Sequence, residues 1–509
     1  MESRVSLNRI AYIYLALPVI IFMLTWIRPV IGIPFAILII LALVLAMKNA
    51  GSDFKGFPKK AVLLAFVIAF VWCFFAGQGG FWYQSDDHWA RNAIYRDLVY
   101  HPWPVVFEQY DVLLNYYVGY WLVPALFGKA LFFLTHNTAG AWLVARIALL
   151  LWSTISVTIC FLLLSNIFAC KTRKHFIIAT LFFILFSGLD ILGIYILNKE
   201  AGLHIERWCP GCQYSCFSTC LFWVFNQAVP AWVATLLLFE EKRIENFAFF
   251  GLCILISSPI PLIGLFPLYV VVGIQKLLEA EDKWVIVRKI VSLQNIIACL
   301  VIFPICFIYY CDNAAINLKA DPNNASVSSA QAQETAGNEQ IQVQTKSKVE
   351  SFKTKLIRKA IHLALFYTFE VGIYLLLLLR KKKRSLLFWC IAIELMFMPI
   401  IHVGTSQDFC MRASIPPLVA LMIMVFEDFY SSYTKKDNKF IVYCIVLAFA
   451  VLTPGKEFYR GVYKVYKHKQ FANNSVLSIE DTVSAKRTRS NFISYDYSDS
   501  LFYKYLAKK

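Results

Sequence analysis

Two adjacent carboxylates, Asp86 and Asp87, stand in the stretch GGFWYQSDDHWARNAIYRDL, Gly79 to Leu98. Phe81, Trp82, Tyr83 and Trp89 surround them, and His88, Arg91, Arg96 and Asp97 follow closely. A single exposed aspartate would read as loop solvation. Two like charges among aromatic rings, partly withdrawn from water, tend to take separated pKa values, so that one can accept a proton near neutral pH. The same pair could instead ligate a divalent cation, the one cofactor these residues leave open. An anionic substrate group needs a cation, and arginine suits a phosphate through its forked donors. Arg91 and Arg96 are candidates. So is Arg412 in GTSQDFCMRASIPP, where Asp408 and Arg412 are four residues apart, share a helix face and can pair.

A second polar segment, HIERWCPGCQYSCFSTCLFWVFNQAVPAW, offers His204, Glu206 and Arg207 as loop groups. Asn226 and Gln227 fall inside an apolar run, where a polar side chain must find another helix or a polar cavity. Cys209, Cys212, Cys216 and Cys220 are open to three readings: a zinc or iron–sulfur site, a disulfide, or reduced packing. Cys212, Cys216 and Cys220 recur every four residues, which is one face of the start of a helix.

The elements that must position these groups are membrane spans. The chain of 509 residues is 59% hydrophobic and 16% charged, with a mean hydropathy of +0.60. Soluble domains carry about a quarter charged residues. Many apolar runs reach the ~17–25 residues that cross a bilayer as helix. The net charge of +17 comes from clusters between spans, not from a basic stripe on a soluble domain, so no nucleic acid is expected. The partner is the lipid bilayer.

Apolar runs and lysine placement predict an all-α polytopic protein of about 13 transmembrane helices, with its N-terminus inside. Spans are expected near 10–26, 29–47, 61–78, 139–167, 175–197, 217–239, 288–310, 361–380, 385–402, 413–427 and 439–453. The run 246–276 is too long for one helix, and SSPIP divides it into a hairpin. EEKR, EAEDKWVIVRK, RKKKR and YTKKDNK then all fall inside. Residues 1–60 hold two extra spans and an inner linker. Residues 61–310 form a core whose first outer loop is 79–138. Residues 311–360 read as a flexible outer loop, 361–453 as C-terminal spans and 454–509 as an extracytoplasmic tail. Asn115 to Phe133, rich in Tyr and Trp, is expected to lie flat on the outer surface as an interfacial helix.

The order SDDHWARNAIYRDL, HPWPVV, LNYYVGYWLVPALFGK and AGAWLVARIALLLW resembles the first outer loop of the GT-C superfamily of polyprenyl-phosphate-sugar-dependent glycosyltransferases, such as protein O-mannosyltransferases and aminoarabinose transferases. Asp86-Asp87 match that family's acidic pair, and Tyr95 to Leu98 its amphipathic stretch. Gly119-Tyr120-Trp121 through Phe127-Gly128 match its juxtamembrane helix, and Arg146 its span-opening arginine. The match covers roughly residues 80–170. Two extra spans precede the loop here, and the second acid is Asp rather than Glu. The resemblance implies a GT-C-like fold and transfer of a sugar from a polyprenyl-phosphate donor to an extracytoplasmic acceptor at the cell membrane. It implies Asp86 or Asp87 as base. Arg91, Arg96, Tyr120, His204, Glu206, Gln227, Asp408 and Arg412 are then the candidates for holding substrate. The rival readings are a transporter or flippase of lipid-linked intermediates, and a non-catalytic scaffold in envelope assembly. A transporter favours inverted repeats and midplane charges. No repeat is visible, and the charges gather at the outer surface.

Overall fold

The computed structural model describes residues 6–48, 59–199, 204–241, 243–317, 352–403, 407–469, 477–484 and 490–509. Most of the expected loop 311–360 lies outside the described residues. Long apolar runs become helices because a helix satisfies its own backbone where no water can. Helices α1 (Leu7–Trp26), α2 (Pro29–Lys48), α3 (Lys59–Phe75), α4 (His88–Tyr100), α5 (Gly119–Thr135) and α6 (Thr138–Ile167) open the fold. α7 (Arg173–Leu185), α8 (Asp190–Ile196), α9 (Phe217–Trp223), α10 (Phe225–Glu240), α11 (Phe247–Cys253), α12 (Pro259–Glu279), α13 (Lys283–Ile290) and α14 (Leu293–Cys311) follow. Then come α15 (Leu356–Lys382), α16 (Leu386–Phe397), α17 (Asp408–Ala413), α18 (Ile415–Lys435), α19 (Asn438–Ala450) and α20 (Leu452–His468).

Among the described residues, nine helices are long and apolar enough to cross a membrane, and the chain is a predominantly helical, multi-pass membrane protein. The sequence suggests about 13 spans. The difference has local causes. The run 217–239 breaks at Val224, between α9 and α10, where the backbone leaves helical geometry (φ −135°, ψ 32°). The Val224 N–H still bonds to Cys220, and its carbonyl accepts from Gln227 and Ala228, so no backbone group is stranded. Ala61–Phe75, Ile244–Cys253 and Leu386–Ile400 are apolar but short. α2 shows what faces lipid: Val30, Ile33, Ile37, Ile40 and Val44 are exposed at helical spacing.

The two ends of the bundle differ in chemistry. At one end Asn8 donates to Glu241 at 3.2 Å, and Asn246 donates to the Tyr12 hydroxyl at 3.0 Å. This same end carries the lysine clusters, with Asp428 bonded by Lys381, Lys439 and the Tyr443 hydroxyl. At the opposite end lie the loop after α3, the turn between α11 and α12, and α17. Gly264 lets α12 pass α17 closely, since an added Cβ would sit 1.9 Å from the Ala413 carbonyl oxygen.

α5 does not lie flat. It runs antiparallel to the first half of α6, with Tyr120 bonded to Ser153 at 2.7 Å and Gly128 set against Ala141 and Ala145. The small residues let the two backbones approach, and the turn is made at His136 in the left-handed region (φ 52°). An apolar helix can satisfy its rings by leaning on a neighbour as well as by lying at the interface.

The end opposite the lysines is closed by residues from the far end of the chain. Strands β1 (Val106–Phe107), β2 (Val112–Leu114) and β3 (Ile493–Tyr495) form an antiparallel sheet, with Val112 opposite Tyr495 and Leu114 opposite Ile493. Asp312 accepts from the Phe502 N–H at 2.8 Å, and Arg28 donates to the Ala507 carbonyl at 3.1 Å. The buried Asp97 on α4 accepts from the Ile479 N–H at 2.7 Å and pairs with Arg96 at 3.4 Å.

Burial pushes the Asp97 carboxyl up to about 7, although the Ile479 N–H, Ser478 and Arg96 act to lower it. A carboxyl raised above its unfolded value of roughly 4 holds an extra proton in the folded state between those two values. Its stabilisation is therefore full at low pH and is lost as pH rises through about 4 to 7. Asp97→Asn should flatten this part of the profile. The midpoint of thermal unfolding in detergent, compared at about pH 5 and pH 8, should rise on acidification more for the wild type than for Asp97→Asn. Equal pH slopes for the two proteins would show that Asp97 keeps an ordinary carboxyl.

Candidate active site

Asp87 stands at the N-terminal end of α4, one turn before Arg91, and the two side chains meet at 3.5 Å. Arg91 is 5% exposed, and among the described residues its Nε and Nη1 have no hydrogen-bond partner. A buried guanidinium donor left without an acceptor is costly, so such atoms mark places where water or a ligand completes the shell.

Arg412 comes from α17, more than 300 positions later in the chain. It pairs with Asp408 at 3.3 Å and lies within electrostatic reach of Asp87, Tyr116 and Tyr117. Burial alone would lower its pKa. Asp408 and then Tyr116, Tyr117 and Asp87 outweigh burial and hold it above the ordinary arginine range. Its Nε has no partner among the described residues. Burial pushes the neighbouring Tyr117 hydroxyl up to about 12, with Arg412 opposing. Asp87, Arg91 and Arg412 thus form one anion–cation group built from α4 and α17.

A second cluster stands beside it. Trp223, at the C-terminal end of α9, donates from its indole nitrogen to Glu457 at 2.9 Å. The Arg460 guanidinium pairs with Glu457 and lies 4.8 Å from the centre of the Trp223 ring. His204 packs on the same Trp223, with ring centres 4.1 Å apart. Asp86, Glu457 and Arg460 all act on the Tyr83 hydroxyl, whose pKa is raised first by burial. Sequence reasoning missed Glu457 and Arg460, and named Tyr83 only as part of the aromatic surround of the acidic pair. The signal was available in α20, LTPGKEFYRGVYKVYKH, whose Glu457 and Arg460 lie three residues apart on one face of a strongly amphipathic helix.

Both nearby histidines are held neutral. Burial, followed by Arg91, brings His88 down to about 3 against the opposing charge of Asp87. Burial, followed by Arg207 and Arg460, brings His204 down to about 3, again with Asp87 opposing. An imidazole with so low a pKa is a poor proton acceptor near neutrality. Among these groups, proton acceptance falls to the carboxylates. His88 packs on Phe225 at 5.8 Å, at the start of α10. Asn226 and Gln227 follow, fully buried, and no side-chain N or O of either has a partner among the described residues.

The remaining sequence candidates fall into different places. Asp86 is exposed and next to Tyr83. Tyr120 is buried beneath Phe225, 5.5 Å between ring centres, with its hydroxyl spent on Ser153. Glu206 is buried and organises its own loop, accepting from the Cys216 N–H at 2.9 Å and from Ser215 at 2.6 Å. Arg96 points to another face of α4. Five residues along a helix is about 140° of rotation and roughly 7.5 Å of rise from Arg91.

The cysteines do not form one cluster. Cys209 and Cys212 share a thiol hydrogen bond across a turn in which Gly211 takes φ 81°. The Cys216 sulfur accepts from the Thr219 N–H at 3.3 Å, and Cys220 donates to the Ser215 carbonyl. All four are free thiols. Among the described residues, no group of three or more His, Cys, Asp or Glu could hold a metal ion. At the acidic pair, the cations Arg91 and Arg412 compete with a divalent ion for the Asp87 carboxylate.

Comparison with protein-family models, with curated proteins and with solved structures finds no match.

Proposed function

We propose that this protein is a membrane glycosyltransferase of GT-C type, moving a sugar from a polyprenyl-phosphate donor to an acceptor hydroxyl at the extracytoplasmic face of the cell membrane. The observation that carries the reading is Asp87 paired with Arg91 at 3.5 Å and within electrostatic reach of Arg412, from segments far apart in the chain, at the end of the bundle away from the lysines. The chemistry asks for these two charges. The acceptor oxygen attacks the anomeric carbon, its proton passes to a carboxylate, and the C–O bond to the phosphate breaks. The electron pair leaves with the phosphate, whose charge the guanidinium groups stabilise through bidentate hydrogen bonds. Phosphate is a good leaving group, so no separate acid is required. The polyprenyl chain stays in lipid, so the base and the cation must lie at the rim of the spans. The unpartnered donors of Arg91 and Arg412 and the buried amides of Asn226 and Gln227 suit a polar, phosphate-bearing substrate.

The test is purified protein in liposomes, supplied with radiolabelled sugars on a panel of polyprenyl phosphates and with extracted envelope glycan, lipid and protein acceptors. Labelled acceptor should accumulate with one donor. Movement of intact donor across the bilayer with no sugar released would overturn the transfer reading in favour of a flippase.

A further inference from the structure

Away from the acidic pair, α4 and the α5–α6 hairpin line an open cavity of about 710 Å³. Arg96 and Tyr100 line it from α4, Phe132 from α5, and Thr138, Trp142 and Arg146 from α6. Two guanidinium groups therefore face one space. Arginine is charged at every accessible pH. Arg146 is held rigidly, donating from Nε to the Gly79 carbonyl at 2.7 Å and from Nη2 to the Gly80 carbonyl at 2.5 Å, with its face 4.5 Å from the Phe81 ring centre. Arg96 lies over Tyr100 at 5.5 Å and keeps 35% of its side chain exposed.

The cavity borders an apolar surface. Phe133 and Leu134 at the hairpin tip are more than three-quarters exposed. Leu143, Ile147, Leu151 and Ile155 form an exposed stripe down α6 at four-residue spacing. A stripe of that kind faces lipid chains. A cationic, aromatic cavity at the head of a lipid-facing stripe matches an amphiphile with an anionic head and hydrocarbon tails.

We propose that this cavity binds an anionic phospholipid, its phosphate between Arg96 and Arg146 and its acyl chains along the Leu143–Ile155 stripe. The site lies on a different face of α4 from Asp87 and Arg91, and the proposal does not rest on the transfer reaction. Guanidinium groups hold a phosphate through charge-assisted hydrogen bonds.

The experiment is photo-crosslinking of the full chain in nanodiscs with a phosphatidylglycerol carrying a diazirine near the head of one chain, read by peptide mass spectrometry. Label should appear in the α5–α6 segment. Unlabelled phosphatidylglycerol should compete about tenfold better than phosphatidylcholine, and inorganic phosphate at millimolar concentration should not compete. Arg96→Gln should cut labelling about tenfold. Thr138→Glu gives a second route, because a carboxylate in the first turn of α6 is favourable to the helix yet places negative charge in the cavity; it should cut labelling similarly. Equal competition by the two lipids, or labelling unchanged in both variants, would overturn the proposal. So would displacement by inorganic phosphate, which would make the cavity a site for the free anion. None of these outcomes reads sugar transfer, so failure here is distinguishable from failure of the transferase reading.

Discussion

Asp87→Asn should lower the turnover of sugar transfer by about 10²-fold or more, the scale of a positioned proton acceptor. Asp86→Asn should cost less. The two carboxylates are adjacent in sequence but face different neighbours. Asp87 meets Arg91 at 3.5 Å and lies within reach of Arg412, whereas Asp86 is exposed beside Tyr83. Asparagine keeps the shape and removes the charge, which leaves Arg91 and Arg412 less compensated. Arg91 is buried but Asp87 keeps 35% of its side chain exposed, so only a modest loss of stability is expected as well. Asp87→Glu separates the two effects. It keeps the charge, moves it by one methylene, and should retain the wild-type unfolding midpoint while still losing most activity. Initial rates with saturating donor, measured beside unfolding midpoints, decide the matter. Near-normal turnover in both Asn variants would remove this segment from the active site.

Arg412 gives the second large effect. Hydrogen bonds to charged groups are worth about 1.5–3 kcal/mol, which corresponds to roughly 10- to 100-fold in donor use. Arg412→Ala should fall in the upper part of that range. Arg412→Lys keeps the charge but not the planar fork, and should lose about tenfold. The loss should appear as weaker dependence of rate on donor concentration, not on acceptor concentration. Asp408→Asn should act mainly by releasing the orientation that the 3.3 Å pair gives Arg412. Arg384, in the turn between α15 and α16 at the lysine-rich end, is the control. Should Arg412→Ala match the Arg384→Ala control in both kcat and donor KM, the pair with Asp408 is a local helix-end contact and nothing more.

The helical, membrane-embedded character was legible because it is written in composition and run length, the two features least sensitive to tertiary context. So was the division of 246–276 at SSPIP, since proline and small residues end helices locally. Helix breaks that come from packing were not legible. Nothing in CLFWVFNQ announces that Val224 leaves helical geometry, and α5 reads from its sequence as an interfacial helix until α6 is there to receive it. The ion pair Asp408–Arg412 could be read from spacing alone. The approach of Asp87 to Arg412 could be expected only through topology, because it depends on how α4 and α17 are carried to one end of the bundle. Glu457 and Arg460 are not legible as site residues because 454–509 reads in sequence as an extracytoplasmic tail. Their partners, Trp223 and Tyr83, come from two other segments.

Strand β2, Val112–Leu114, gains its second neighbour only when Ile493–Tyr495 arrives. Leu114 and Ile493 are 379 residues apart (493 − 114). At ribosomal rates of about 5–20 residues per second, that interval is roughly 20–75 s. For at least this long, the nascent chain presents β2 with one edge unpaired. Exposed edges of this kind invite pairing with the wrong chain. Biogenesis of this protein therefore has a vulnerable interval set by its own topology.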